Sequence, residues 1–150
     1  MYKHILVPTD GSLLSAKAVK EAIKIAKACG AKLTALHVMP DFHAYVSEHY
    51  QVLPGIAAPL EHKYKEESAE RAGKILEAAR AEAIMAGVEC AGISVTSDAT
   101  YDAIIKAAAK SGCDLIVMAS HGRKGLEGLL LGSETTKVLT HSKISVLVVR

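Results

Sequence analysis

Two stretches of the chain place glycines and small polar residues directly after short apolar runs, an arrangement suited to gripping an anion. The first run, His4-Ile5-Leu6-Val7, is followed by Pro8-Thr9-Asp10-Gly11-Ser12. The second, Leu115-Ile116-Val117-Met118, leads into Ala119-Ser120-His121-Gly122, then Gly125, Gly128 and Gly132-Ser133-Glu134-Thr135-Thr136. Glycines let a backbone bend and approach a ligand closely, and the free N–H groups of a helix starting at Ser133 would point outward as anion donors. Ser133 and Thr135 add hydroxyls, and each charge-assisted bond to a phosphate oxygen contributes roughly 1.5–3 kcal/mol, so several suffice for micromolar binding. The same residues also admit a plainer account, in which the glycines only turn a solvated loop and Ser133 only caps a helix. Spacing alone leaves both accounts open.

Other reactive side chains are less organised. Asp10 has two readings of equal weight: orienting a ribose or holding Mg²⁺ through water, and capping the first helix beside Ser12. His121 can donate to a phosphate or shape the loop, but no acid and nucleophile stand at triad spacing around it. No catalytic residue is assigned, and slow ATP hydrolysis or self-phosphorylation is the most that a bound nucleotide would allow. His43 and His49 match no metal-ligand spacing. Cys29, Cys90 and Cys113 are far apart and lack CxxC spacing, so they read as reduced thiols serving as small core residues.

The elements that position these residues follow from periodicity. Besides the two runs above, Leu33–Val38 and Val146–Val149 read as strands covered on both faces, and Val88–Val95, with Gly92, as a strand nearer an edge. A helix capped by Ser12 and ended by Gly30 carries Ala18, Ala22, Ile25, Ala26 and Cys29 on one face. A long helix from about Leu60 to Gly87 repeats Tyr64, Ala72, Ile75, Leu76, Ala79 and Ala83, a third turns Ile104, Ile105 and Ala108 inward before Gly112, and a fourth from Ser133 turns Val138 and Leu139 inward. Strand–helix alternation of this kind predicts an α/β fold, a parallel sheet with helices on both faces, in one domain over residues 1–150. Met39–Pro59, with three prolines, three aromatics and two histidines, breaks the rhythm and is expected to be a lid or long loop.

Composition narrows the partners. Half the residues are hydrophobic, 23% are charged, and the net charge of +2 is scattered, which argues against nucleic acid as a partner. The start lacks a signal peptide's length and cleavage site and no stretch is long enough to span a bilayer, so the expectation is a cytoplasmic protein without a membrane partner. GxGxxG after the first strand and GxxxxGK[ST] are both absent, setting aside dehydrogenase-type and P-loop nucleotide sites. A receiver domain is set aside too, for want of an acidic pair after the first strand.

Ser120-His121-Gly122, nine residues, then Gly132-Ser133 is similar to the glycine motif of the universal stress protein family. The opening Ile5–Ser12, the Leu36-His37-Val38 strand end and the closing Val146–Val149 extend the resemblance over essentially the whole chain. It implies a five-stranded, Rossmann-like three-layer sheet of order 3-2-1-4-5, a homodimer, and a site for ATP or AMP. Pro8, Thr9, Asp10 and Val38 would border adenine and ribose; Gly122, Gly132, Ser133 and Thr135 would bind phosphates, with Met118, Ala119, Ser120, His121 and Glu134 in the same cleft. Ala119 departs from the motif, which opens with glycine; a left-handed backbone there would cost alanine about 1 kcal/mol. A second departure is Asp98-Ala99-Thr100, where the family often has glycine and proline before the helix. The final strand, Ser145–Arg150, has no following residue to cover it and is expected to pair in the dimer. The alternative function is a dimeric interaction protein whose glycine loop is purely structural.

Overall fold

A computed structural model of the chain describes residues 1–49, 57–122 and 131–150. Along the chain run β1 (His4–Pro8), α1 (Leu13–Cys29), β2 (Lys32–Met39), α2 (Phe42–His49), α3 (Ala57–Met85), β3 (Cys90–Thr96), α4 (Thr100–Ser111), β4 (Leu115–Ala119), α5 (Ser133–His141) and β5 (Ser145–Val149). The strands form one parallel sheet of order β3-β2-β1-β4-β5, the order expected. Ile5 of β1 stands beside Leu33 of β2 and Leu115 of β4.

Successive strand residues point to opposite faces, so the sheet feeds two cores. On one face Ile5, Val7, Leu33, Ala35, Leu115 and Val117 pack under Ala18, Ala22 and Ala26 of α1 and Ala79 and Ala83 of α3. On the other, Leu6, Leu36, Ile116 and Met118 pack under Ile104 and Ala108 of α4 and Val138 of α5. Ser12 caps α1, its Oγ accepting from Ser15 N at 3.2 Å, and Gly30 ends that helix with φ 66°. At the amino edge, the Asp114 carboxylate accepts from the amides of Lys3 (2.9 Å) and His4 (3.1 Å), tying β4 to β1.

The expected loop over residues 39–59 is corrected in part, because Phe42–His49 is helical and α3 begins at Ala57, ahead of Pro59. Periodicity missed α2 because eight residues hold too little of it. Tertiary contacts supply the reason: Phe42 is buried, its ring lies 5.5 Å from that of Tyr64, and Tyr45 lies 4.7 Å from Tyr64. Tyr64 Oη donates to the Pro40 carbonyl at 2.8 Å, and Asp41 Oδ1 accepts from His43 N at 2.9 Å to start the helix. Tyr50 and Pro54 lie outside the described residues.

Leu139 is a second correction, being 41% exposed. Thr135 and Val138 set the inward stripe of α5, and Leu139 sits one residue, about 100°, beyond it. Only Cys113 of the cysteines is buried, while Cys29 and Cys90 are half-buried. Burial, followed by the Asp114 charge, pushes the Cys113 thiol up to about 11, which keeps it protonated and unreactive.

His4 couples this frame to pH. It is buried in β1, with Nε2 2.7 Å from Thr34 Oγ1, and burial, helped by the Lys32 charge, holds its pKa below the ordinary value. The unfolded chain, with histidine near 6.5, therefore takes up a proton more readily than the folded one. This contribution to stability is complete above pH about 6.5 and is lost as the pH falls through the folded value. Thermal unfolding at pH 7.5 and 5.5 should show a lower midpoint in acid, and His4→Gln should narrow the gap; an unchanged gap would remove His4 from the account.

Candidate functional site

β1 and β4 are neighbours in the sheet, yet the chain leaves them for opposite faces, to α1 from one and toward α5 from the other. Such a switch point opens a crevice beyond the carboxyl ends of the two strands. Among the described residues, Thr9 and Asp10 follow one of these strands and Ser120 and His121 the other.

At the end of β1, Pro8 is half-buried and Thr9 buried, its amide still donating to Leu36 O at 2.8 Å. Gly11, with φ 78°, turns the chain into α1, a conformation that favours glycine. Asp10 Oδ1 accepts from Ser12 N at 2.9 Å, so the carboxylate braces this turn while Ser12 is the helix cap. Its Oδ2 faces β4: a Cβ on Gly122 would stand 3.2 Å from it. Thr9 Oγ1 lies 3.1 Å from Ser15 Oγ, and His37 Nδ1 donates to the Thr9 carbonyl at 2.8 Å. His37 is a site residue that residue spacing did not single out; its signal was a histidine within the apolar run of β2, beside half-buried Val38.

At the end of β4, Met118 and Ala119 are buried, and Met118 belongs to the core under α4 and α5, beneath the crevice floor. Ala119 closes the strand, and no non-glycine residue among those described has positive φ, so the expected left-handed cost does not arise there. Ser120 is buried, its amide donating to Val149 O at 2.8 Å and its Oγ 3.0 Å from His121 Nδ1. The Ser120 carbonyl accepts from Gly132 N at 2.7 Å, which brings the two ends of the glycine segment together. A Cβ on Gly132 would stand 3.1 Å from that carbonyl oxygen and 3.3 Å from His121 Cα, so any side chain here would crowd the main chain. Gly125 and Gly128 lie outside the described residues.

At the start of α5 two side chains, Glu134 and Thr135, have partners within the chain. Gly132 is the N-cap, with φ −69° and ψ 159°, and Ser133 is the exposed first residue of the helix. Thr135 is buried, and its hydroxyl donates to the carbonyls of Ala119 (2.9 Å) and Ser120 (3.2 Å), so it holds the turn and has no proton to spare for an anion. Glu134 Oε2 accepts from Tyr101 N at 2.8 Å, supplying the cap that Ala99 cannot give α4. Thr136 N is the first amide to close onto the helix, at Gly132 O, and Gly132 offers no side-chain cap. The amides of Ser133, Glu134 and Thr135 therefore precede the first intrahelical bond, at the positive end of the helix dipole.

No three histidine, cysteine or acidic side chains among the described residues could jointly hold a metal. His43 packs edge-on to Phe42 at 5.7 Å and His49 stacks on Tyr45 at 4.6 Å. Among the described residues, no helix is long and apolar enough to cross a membrane.

The universal stress protein family model matches residues 1–150. The chain is 35% identical to universal stress protein YxiE of Bacillus subtilis, covering all of both chains. It is 32% identical to universal stress protein MJ0531 of Methanocaldococcus jannaschii, over 100% of this chain and 83% of that one. Among solved structures, MJ0577 of the same archaeon superposes with a TM-score of 0.82 at 31% identity, over 99% of this chain and 96% of that one. A universal stress protein solved in complex with cAMP superposes at 0.72 with 28% identity, over 99% and 97% of the two chains. With a full-length family match, such relatives and the sheet order in agreement, this chain belongs to the universal stress protein family.

Proposed function

We propose that the chain binds an adenine nucleotide, ATP or AMP, in the crevice between the carboxyl ends of β1 and β4, and acts as a dimeric, nucleotide-dependent regulatory protein. The observation that carries this reading is the start of α5: three main-chain amides with no intrahelical or side-chain cap partner, held beside the end of β4 by the close approach of Gly132 to Ser120 and His121. Such an end is a ready anion site. The family relative solved with cAMP supports a nucleotide as the anion's source. In this reading the amides of Gly122, Ser133 and Glu134 hold phosphate, Pro8, Thr9, Asp10 and Val38 border the nucleoside, and Mg²⁺, when present, reaches Asp10 through the phosphates and water. Ser120 and Thr135 set the backbone that does the holding.

Titration calorimetry with ATP, AMP, GTP and NAD tests the reading. ATP or AMP should bind at micromolar concentration and preferentially, while Gly132→Val, whose side chain meets the main chain at 3.1 Å, should weaken binding at least tenfold, about 1.4 kcal/mol. Absence of heat with every nucleotide would leave the interaction-protein reading in its place.

Ala119 bears on the same affinity. Its backbone is ordinary strand and it is packed in the α1-side core with Val117, so its methyl faces away from the crevice. Ala119→Gly should therefore tighten ATP binding by less than about twofold and lower stability by roughly 0.5–1 kcal/mol; a gain of tenfold would show that the methyl blocks the ligand.

Dimerisation rests on β5. It ends the sheet, pairs only with β4 among the described residues, and carries an uncharged Ser145–Val149 run in which Leu147 is 38% exposed. Pairing of two such edges would cover them. Light scattering at micromolar concentration should give twice the chain mass of 15.8 kDa, and Leu147→Lys should shift it toward the monomer.

A further inference from the structure

We infer that His121 is a proton-linked donor to the bound phosphate, so that nucleotide binding takes up a proton at this ring. The inference rests on the nucleotide reading above and assigns its missing polar contact. Among the described residues, His121 Nε2 is the buried side-chain polar atom without a hydrogen-bond partner. The opposite nitrogen is engaged, Nδ1 lying 3.0 Å from Ser120 Oγ. Cδ2, the carbon bonded to Nε2, lies 3.9 Å from the point where a Cβ on Gly132 would stand, so this edge of the ring lies beside the N-cap of α5. A nitrogen without a partner in the folded chain, beside amides without a cap, is accounted for if both face the same absent acceptor.

The partner of Nδ1 is what makes the ring a switch. A carbonyl facing Nδ1 would accept only, and an ammonium would donate only. A serine hydroxyl does either. In the neutral ring Ser120 Oγ–H donates to Nδ1 and the ring proton sits on Nε2. When a proton from solvent adds to Nδ1, the Ser120 hydroxyl rotates and accepts, and Nε2–H remains on the phosphate oxygen. Neither state leaves Nδ1 unsatisfied. A phosphate favours the charged ring, and imidazole is the side chain whose charge changes between pH 5 and 8.

The charged and titratable groups on the surrounding elements do not supply this effect by themselves. Glu134 on α5 is turned onto Tyr101 N and lies 3.6 Å from Lys137. His37 on β2 is bonded to the Thr9 carbonyl, and Arg150 is exposed beyond β5. Asp10, on the turn after β1, accepts from Ser12 N and stands on the crevice side, where it also favours a charged ring. Its charge is present with and without ligand, so the proton taken up on binding reports the phosphate.

The test is ATP affinity at pH 6 and pH 8 for the native chain and for His121→Gln, with circular dichroism confirming that the variant is folded. The terminal phosphate of ATP titrates in the same range but acts equally on both chains, so the ratio of their affinities carries the signal. That ratio should move about tenfold toward the native chain between pH 8 and pH 6. In the native chain alone, ¹⁵N resonances of the His121 ring at pH 7 should shift toward the doubly protonated form when ATP is added. A ratio that stays constant, with ring resonances that do not respond to ATP, overturns the inference while leaving nucleotide binding intact. No ATP binding at either pH overturns both.

Discussion

The carboxyl edge of this molecule is organised by the backbone of one residue, Ser120. Its amide donates to the last residue of β5 and its carbonyl accepts both Gly132 N and the Thr135 hydroxyl. Three elements are therefore referenced to one point: the end of β4, the end of β5 and the first turn of α5. Gly132 eases the closure at 2.7 Å, because a Cβ would crowd the accepting oxygen at 3.1 Å.

The sheet makes that point rigid. Ile5, Leu6, Val7, Ile116 and Val117 are wholly buried, so β1 and β4 cannot shift without disturbing both cores. On one face the alanines of α1 let that helix lie close to the strands; on the other, α4 and α5 are linked through Glu134 and Tyr101. This link has an electrostatic consequence for the crevice. A carboxylate in the first turn of α5 would repel a phosphate bound there, and engagement with the first turn of α4 and with Lys137 draws its charge away.

Much of this was legible from residue order, and the exceptions share a cause. Strands such as Leu115–Met118 and the caps at Ser12, Gly30 and Gly112 follow from local apolar pattern and local chemistry, and the structure places them as read. The sheet order and the convergence of both strand ends came with the family resemblance carried by Ser120–Ser133. What could not be read were properties fixed by distant neighbours. Phe42–His49 is helical because Tyr64 packs on it from α3, and Leu139 is exposed because Val138, and not its neighbour, meets the core. In a linear motif Thr135 looked like a phosphate ligand and Glu134 like a residue of the same cleft. Only the fold shows that the carbonyls of Ala119 and Ser120 and the amide of Tyr101 already occupy them.

These reassignments leave a division of labour at the crevice. Thr9, Ser15, His37 and Thr135 are buried, and their polar atoms bond to main chain or to one another. Asp10 Oδ1 braces its own turn. Side chains thus set the shape of the backbone, and in the proposed reading contact with an anion falls to amides, which are always protonated. Recognition by preorganised amides depends little on pH and discriminates by geometry and charge. Ser120 and His121 stand apart from that pattern, because a hydroxyl that can reverse its direction and a ring nitrogen left unpaired are the one polar pair here whose arrangement changes with a proton.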